Sequence, residues 1–237
     1  MTRDALSVSV VVAVKNGARF LREALDSVVR QTRPPLELLV IDNRSTDDTR
    51  AIAESFGPPV RYFCNDPELS IAATRNRGIA LATGELLAFN SHDDLWLPEK
   101  LALQAAYFER DEDLQFCVSH LRCFTDSAEA ATPAAFPRHL LDRDLPGWVP
   151  ETLMARHSAF ARAGLFDPAF AQGDDTEWLA RARQLGLAHL MLKDSLVRKR
   201  LHSRSITYGA TQPALAARET LEIARRMIAA RRDESRP

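Results

Sequence analysis

Two carboxylates, Asp93 and Asp94, follow the apolar run Leu86-Leu87-Ala88-Phe89 after only Asn90-Ser91-His92. That run, bounded by Gly84 and a polar cluster, predicts a buried strand. A strand buried on both faces delivers whatever follows it to one rim of an α/β sheet, where ligands sit. Hard carboxylate oxygens at such a rim suit Mg²⁺ or Mn²⁺ shared with a phosphate. Acids just before Leu95-Trp96-Leu97-Pro98 also fit a helix start, so capping is the competing use.

The elements that must hold these acids follow from periodicity. Ser7 to Val14 (SVSVVVAV) is a β-branched run that predicts a central strand, broken by Asn16-Gly17. Ala18 to Thr32 carries Phe20, Leu21, Ala24, Leu25, Val28 and Val29 at helical spacing. Pro34-Pro35 ends that helix, and Leu36 to Ile41 is a second apolar strand. Ser45 to Asp48 has the form of a capping box leading into a helix over 48–56. A short strand at Val60 to Cys64 and a helix at Ser70 to Ala82 complete an alternation that predicts a doubly wound parallel sheet. After a helix at Pro98 to Arg110 the pattern becomes mixed. Leu114–Arg122 and Trp148–Met154 read as strands, and Ser127–Arg143 as a loop. His157–Gly164 is a short helix closed by a left-handed glycine. Asp174–Leu185 is helical, Leu190–Arg200 extended, and Leu215–Arg232 a final helix.

The 237 residues are 46% hydrophobic and 27% charged, ordinary values for a soluble domain or a core with an appended lobe. A net charge of −1 gives no pull toward nucleic acid. The cysteines (Cys64, Cys117, Cys123) are odd in number and lack CxxC spacing, which argues for packed thiols in a reducing compartment. No apolar run approaches the ~20 residues of a membrane span, and the N-terminus lacks a signal-peptide core. A cytoplasmic location is the expectation. The last helix places Ala217, Leu221, Ala224 and Ile228 on one stripe, near Arg225, Arg226, Arg231 and Arg232. Basic amphipathic helices can lie peripherally on anionic membranes. Here Glu219, Glu222, Asp233 and Glu234 offset the arginines, so packing on the domain is the expected use. The turn Val14-Lys15-Asn16-Gly17-Ala18 has no GxGxxG, which disfavours a plain dinucleotide fold, and no GxxxxGK[ST] occurs, which excludes P-loop chemistry.

Four segments, in order, resemble the family 2 glycosyltransferases of GT-A fold: VSVVVAVKNGARFLREALDSVVRQT, ELLVIDNRSTDDT, ATRNRGIALATGELLAFNSHDDLW and ARHSAFARAGLFDPAFAQGDDTEWLARARQLG. The resemblance spans about residues 7–208. It implies one α/β domain, with a nucleotide-sugar-binding half over about 1–110, an acceptor-side half over about 111–208, and a C-terminal helix and tail over 209–237. It further implies a nucleotide-diphosphate sugar donor, most readily a UDP-sugar, and an inverting transfer to a hydroxyl. That hydroxyl would belong to a saccharide, a lipid-linked sugar or a small molecule.

In such a transfer negative charge builds on the departing diphosphate, and a divalent cation stabilises it. The acceptor hydroxyl must also lose its proton to a carboxylate within hydrogen-bond reach. By resemblance, Asp42 and Asn43 contact the nucleoside, and Val14 and Asn16, closing the first strand at the same rim, are also nucleotide-binding, Asn16 at the base or ribose. A plain turn is the alternative for Asn43 and Asn16. Arg75, of the Arg-Asn-x-Gly helix, meets the nucleotide or diphosphate, or pairs with an acid. The usual Asp-x-Asp reads Ser91-His92-Asp93 here. Asp93 keeps the metal-ligand position, His92 reaches toward a phosphate, and Ser91 offers an uncharged hydroxyl where an acid is usual. By the same resemblance, His202 approaches the metal, Mn²⁺ or Mg²⁺, or the diphosphate. In the acidic pair, Asp174 caps the helix or binds the acceptor, and Asp175 is the proton acceptor. Trp178 is expected in the core. Ser91 also motivates a second reading, a nucleotide-sugar-binding protein without turnover.

Overall fold

The computed structural model describes residues 5–126, 136–202 and 213–234. Strands β1 (Val8–Val14), β2 (Glu37–Asp42), β3 (Val60–Cys64) and β4 (Leu86–Ser91) run parallel in the order β3-β2-β1-β4. The valine and leucine runs form strands because both faces are covered. Val8, Val10, Val12, Leu38, Val40 and Leu86 enter one core with α1 (Leu21–Val29) and α4 (Lys100–Arg110). Val11, Leu39, Ile41, Leu87 and Phe89 enter the other with α3 (Ile71–Leu81), α5 (His157–Ala163) and α6 (Asp174–Gln184). Between these elements lie α2 (Thr49–Glu54), β5 (Leu95–Trp96), β6 (Phe116–Phe124), β7 (Leu145–Pro146), β8 (Met154–Arg156), β9 (His189–Arg200) and α7 (Pro213–Glu234).

The sheet continues as β8-β6-β9-β5, with β7 on β6. β8 is antiparallel to β4 and β6, whereas β9 runs parallel to β6. This is the expected α/β architecture, a parallel half followed by a mixed half. Register pairs Val14 with Asp42 and Ala13 with Ser91, so the carboxyl ends of β1, β2 and β4 share one rim. Because chain order reverses across β1, a crevice opens there.

α3 must lie close on β1 to bring its polar face to that rim, and Gly78 permits the approach. A Cβ at Gly78 would stand 2.3 Å from Val11 Cγ1. Gly78→Ala is therefore expected to destabilise the fold by about 1–3 kcal/mol through overpacking. Thermal unfolding reads this directly, and an unchanged melting temperature would contradict the packing.

Several local expectations are corrected. Trp148–Met154 is not one strand: Pro150–Thr152 forms a 3₁₀ turn and only Met154–Arg156 joins the sheet. Pro150 has no N–H for a ladder and starts a helical turn readily. The capping box at Ser45 does not form, because its hydroxyl bonds Asp42 Oδ1 at 2.5 Å. Asp47 instead accepts from the Thr49 hydroxyl at 2.5 Å and the Ala18 N–H at 3.0 Å. Cys117 and Cys123 are buried, but Cys64 is exposed. α7 does pack on the domain, though not by the predicted stripe. Leu221 and Ile228 are each 53% exposed, while Ile223 and Glu219 face inward. The Glu219 carboxylate accepts the backbone N–H groups of Ala171, Gln172 and Gly173 at 2.7, 3.0 and 2.9 Å. No helix among the described residues is long and apolar enough to cross a membrane.

Candidate active site

A cavity of about 260 Å³ opens at the rim, between the ends of β1 and β4, the face of α3, the Pro150 turn, the N-terminus of α6 and the end of β9. Val14, Asn43, Arg75, Ser91, His92, Asp93, Asp174 and Asp175 line it, so both acidic clusters meet in one space.

The Asp93–Asp94 pair separates. Asp93 faces the cavity, and its Oδ2 lies 2.9 Å from His202 Nε2. Burial opposes ionisation of Asp93, but the His202 hydrogen bond and the neighbouring His92 and Lys199 outweigh it and hold the carboxyl below the usual range. Asp94 turns inward and is 1% exposed. It accepts from Lys199 Nζ at 3.0 Å and from the Arg200 N–H at 2.7 Å. Burial pushes its carboxyl up to about 7; Lys199 pulls against this, and Asp93 and Glu151 add to it. Asp94 thus anchors the turn to β9. The competing use as a helix cap is not realised by either acid: α4 begins at Lys100, after the short strand β5.

Across the cavity Arg75 Nη1 donates to Asp174 at 2.6 Å, which ties α3 to α6. Gly173, not Asp174, occupies the cap position of α6, so the Asp174 capping role is corrected to an ion pair. Asp175 accepts from the Thr176 N–H at 2.6 Å. Burial, with the adjacent Asp174 charge, pushes its carboxyl up to about 6. Trp178 is fully buried among Phe116, Phe160 and Phe166, with its indole N–H on the Gly164 carbonyl at 2.8 Å.

Three residues expected at the nucleotide engage their side chains within the protein. Asp42 is 1% exposed and accepts from Ser45 and, at 2.6 Å, from the Tyr62 hydroxyl. Asn43 ties the β2 end to Leu69 and Asn65. Asn16, at φ 51°, accepts from the Thr46 N–H at 2.8 Å, the turn role that was its alternative. Asp42 and Asn16 lie outside the cavity lining, whereas Val14 and Asn43 are part of it.

Sequence reasoning missed Glu151, Lys199 and Arg200. Ser91 Oγ donates to Glu151 Oε1 at 2.5 Å, and Lys199 Nζ lies 3.3 Å from Glu151 Oε2. Burial disfavours the Lys199 ammonium, but Asp94, Glu151 and Asp93 hold its pKa well above the ordinary lysine value. Arg200, 3% exposed, donates to the Asp93 carbonyl at 2.9 Å and to Glu23 at 2.7 Å. Proximity to His202 in Lys199-Arg200-Leu201-His202 was a usable signal for the two cations. Glu151 gave none.

Among the described residues no three acids, histidines or cysteines cluster as a complete metal cage. Asp93, on the cavity wall, nonetheless holds one carboxylate oxygen 2.9 Å from an imidazole nitrogen of His202. That donor set fits Mg²⁺ or Mn²⁺, which commonly take one or two protein carboxylates and complete their shells with substrate phosphate and water.

The parallel half, its reversal at β1 and the acid-lined cleft at the strand ends define the GT-A class of nucleotide-sugar folds. Residues 9–165 match the family described as Glycosyl transferase family 2, and the chain belongs to that family. It is 29% identical over 221 residues to an uncharacterized glycosyltransferase of Rickettsia typhi, covering 86% of this chain and 66% of that protein. It is 31% identical over 102 residues to the Escherichia coli UDP-Glc:alpha-D-GlcNAc-diphosphoundecaprenol beta-1,3-glucosyltransferase WfgD, covering 43% of this chain and 40% of the relative. The chain therefore spans about two thirds or less of the curated relatives it matches. In fold it resembles S. aureus TarS 1–349 in complex with UDP-GlcNAc (TM-score 0.69, 17% identity, 84% of this chain and 60% of the other). It also resembles the mannosyltransferase PcManGT from Pyrobaculum calidifontis in complex with GDP-Man and Mn²⁺ (TM-score 0.64, 19% identity, 86% and 59%).

Proposed function

We propose that this chain transfers a sugar from a nucleoside-diphosphate donor, with uridine the favoured base, to an acceptor hydroxyl. The observation that carries this reading is the meeting of Asp93, backed by His202 at 2.9 Å, with Asp174 and Asp175 on the lining of one cavity. The UDP-Glc in the name of WfgD and the UDP-GlcNAc bound to TarS support the choice of uridine.

In the proposed reaction Asp175 accepts the proton of the acceptor hydroxyl. The freed oxygen bonds to the anomeric carbon from the face opposite the phosphate. The carbon–oxygen bond to the diphosphate breaks, and its electron pair leaves with the nucleoside diphosphate, inverting the centre. Arg75 fixes Asp174 beside the base, where its charge raises the basicity of Asp175. Asp93 and His202 would hold Mn²⁺ or Mg²⁺, which supplies, when bound, neutralisation of charge on the leaving group.

Incubation with Mn²⁺ and a panel of UDP- and GDP-sugars, followed by assay of released nucleotide, tests the proposal. Release that EDTA abolishes supports the transferase. Tight nucleotide binding with no release on any acceptor supports the non-catalytic binder that Ser91 motivates. The pH profile gives a second test. Asp175 works as a base only when ionised, and its pKa is about 6. The rate is therefore expected to be flat above that pH and to fall about tenfold per unit below it. A rate unchanged down to pH 5 would contradict the assignment.

A further inference from the structure

We propose that Ser91 and Glu151 act as one composite acceptor that replaces the carboxylate missing from the first position of the acidic motif. The inference rests on the nucleotide-sugar reading and names the group that meets an O–H donor of the bound complex. A serine hydroxyl has one proton and two lone pairs. Here the proton points at Glu151 Oε1 across 2.5 Å, in a charge-assisted contact. Toward the cavity Ser91 Oγ is then left with lone pairs only, as a carboxylate would be. Negative charge stands one hydrogen bond behind it.

The surroundings fit that role. Glu151 is 4% exposed and sits on the 3₁₀ turn that replaced the expected strand. The turn carries its carboxylate to the end of β4. Lys199 compensates the buried charge from 3.3 Å. Neither Ser91 nor Glu151 does this alone: a free serine hydroxyl can donate as readily as it accepts, and Glu151 Oε2 is enclosed by protein. The matching ligand chemistry is an O–H donor, either a ribose hydroxyl of the nucleotide or a metal-bound water. Glu151 is thus a positioning residue, acting through Ser91.

Calorimetric titration with UDP, with Mn²⁺ and with EDTA, tests this without turnover. Glu151→Gln keeps the side-chain shape but lets the amide donate to Ser91, which turns the hydroxyl proton toward the cavity. UDP binding is expected to weaken about tenfold with little change in melting temperature. Ser91→Asp alone sets two carboxylates against each other and should weaken binding similarly. The exchange variant S91D/E151S restores one carboxylate and one hydroxyl in swapped places, and should recover affinity to within about threefold. A merely structural contact would not be rescued in this way. With 2′,3′-dideoxy-UDP the Glu151→Gln penalty vanishes if ribose is the donor. It persists there, and vanishes in EDTA instead, if the donor is a metal-bound water. Wild-type affinity in Glu151→Gln, or an exchange variant that folds and stays as weak as the single variants, overturns the composite acceptor while leaving the functional reading intact. A wild-type chain that binds no UDP or GDP overturns the functional reading, and this inference with it.

Discussion

Asp175→Asn is expected to lower the transfer rate by about 10²–10⁴-fold, the range that a positioned general base contributes. UDP affinity should stay within about twofold of the wild type. The substitution is close to isosteric and removes only the group that takes the proton, whereas the residues proposed to hold the cation are Asp93, elsewhere on the cavity lining, and His202 beside it. The Thr176 N–H now donating to Asp175 can still meet the asparagine oxygen. Parallel measurement of donor binding by calorimetry and of product formation separates the two effects. A variant that turns over normally assigns the base elsewhere, and one that loses UDP binding equally places Asp175 in donor recognition.

Asp93→Asn should abolish the dependence of UDP binding on Mn²⁺. In the wild type, Mn²⁺ is expected to tighten UDP and EDTA to loosen it. Loss of the cavity-facing carboxylate that meets His202 should remove at least the 10–100-fold in metal affinity that even indirect partners of metal ligands supply. Titration of UDP into both proteins, with and without Mn²⁺, reads this linkage directly. An unchanged metal dependence in the variant would place the cation away from residue 93. A wild type indifferent to EDTA would mean that protein cations such as Lys199 and Arg75 alone offset the diphosphate.

The sheet was legible because buried parallel strands are written as uninterrupted apolar runs, as in Ser7–Val14 and Leu86–Phe89, and the rim then follows from where each run stops. Asp93, Arg75 and the Asp174–Asp175 pair were legible as the polar residues just past or along those elements. What stayed hidden was contact between distant segments. Nothing near Ser91 announces that its hydroxyl will find Glu151, sixty positions on. Nothing near Asp94 says that it will turn from the cavity to Lys199. Ser45 misled for a local reason: a short polar turn satisfies its own backbone, so a hydroxyl expected at a helix cap was taken by the nearer acid, Asp42. The stripe on α7 misled because periodicity finds an apolar face without saying which way it points. A buried glutamate on the opposite side decided that orientation.

That glutamate makes α7 a mechanical part of the segment that carries the proposed base. Three amide protons in succession, just upstream of the proposed base, converge on Glu219 of a helix that begins some forty residues later in sequence. Shortening the polypeptide ahead of Pro213 would strand those protons and unfasten the segment that aims Asp175. A trimmed version could keep the cleft at the strand ends and still have lost the brace behind the proposed base.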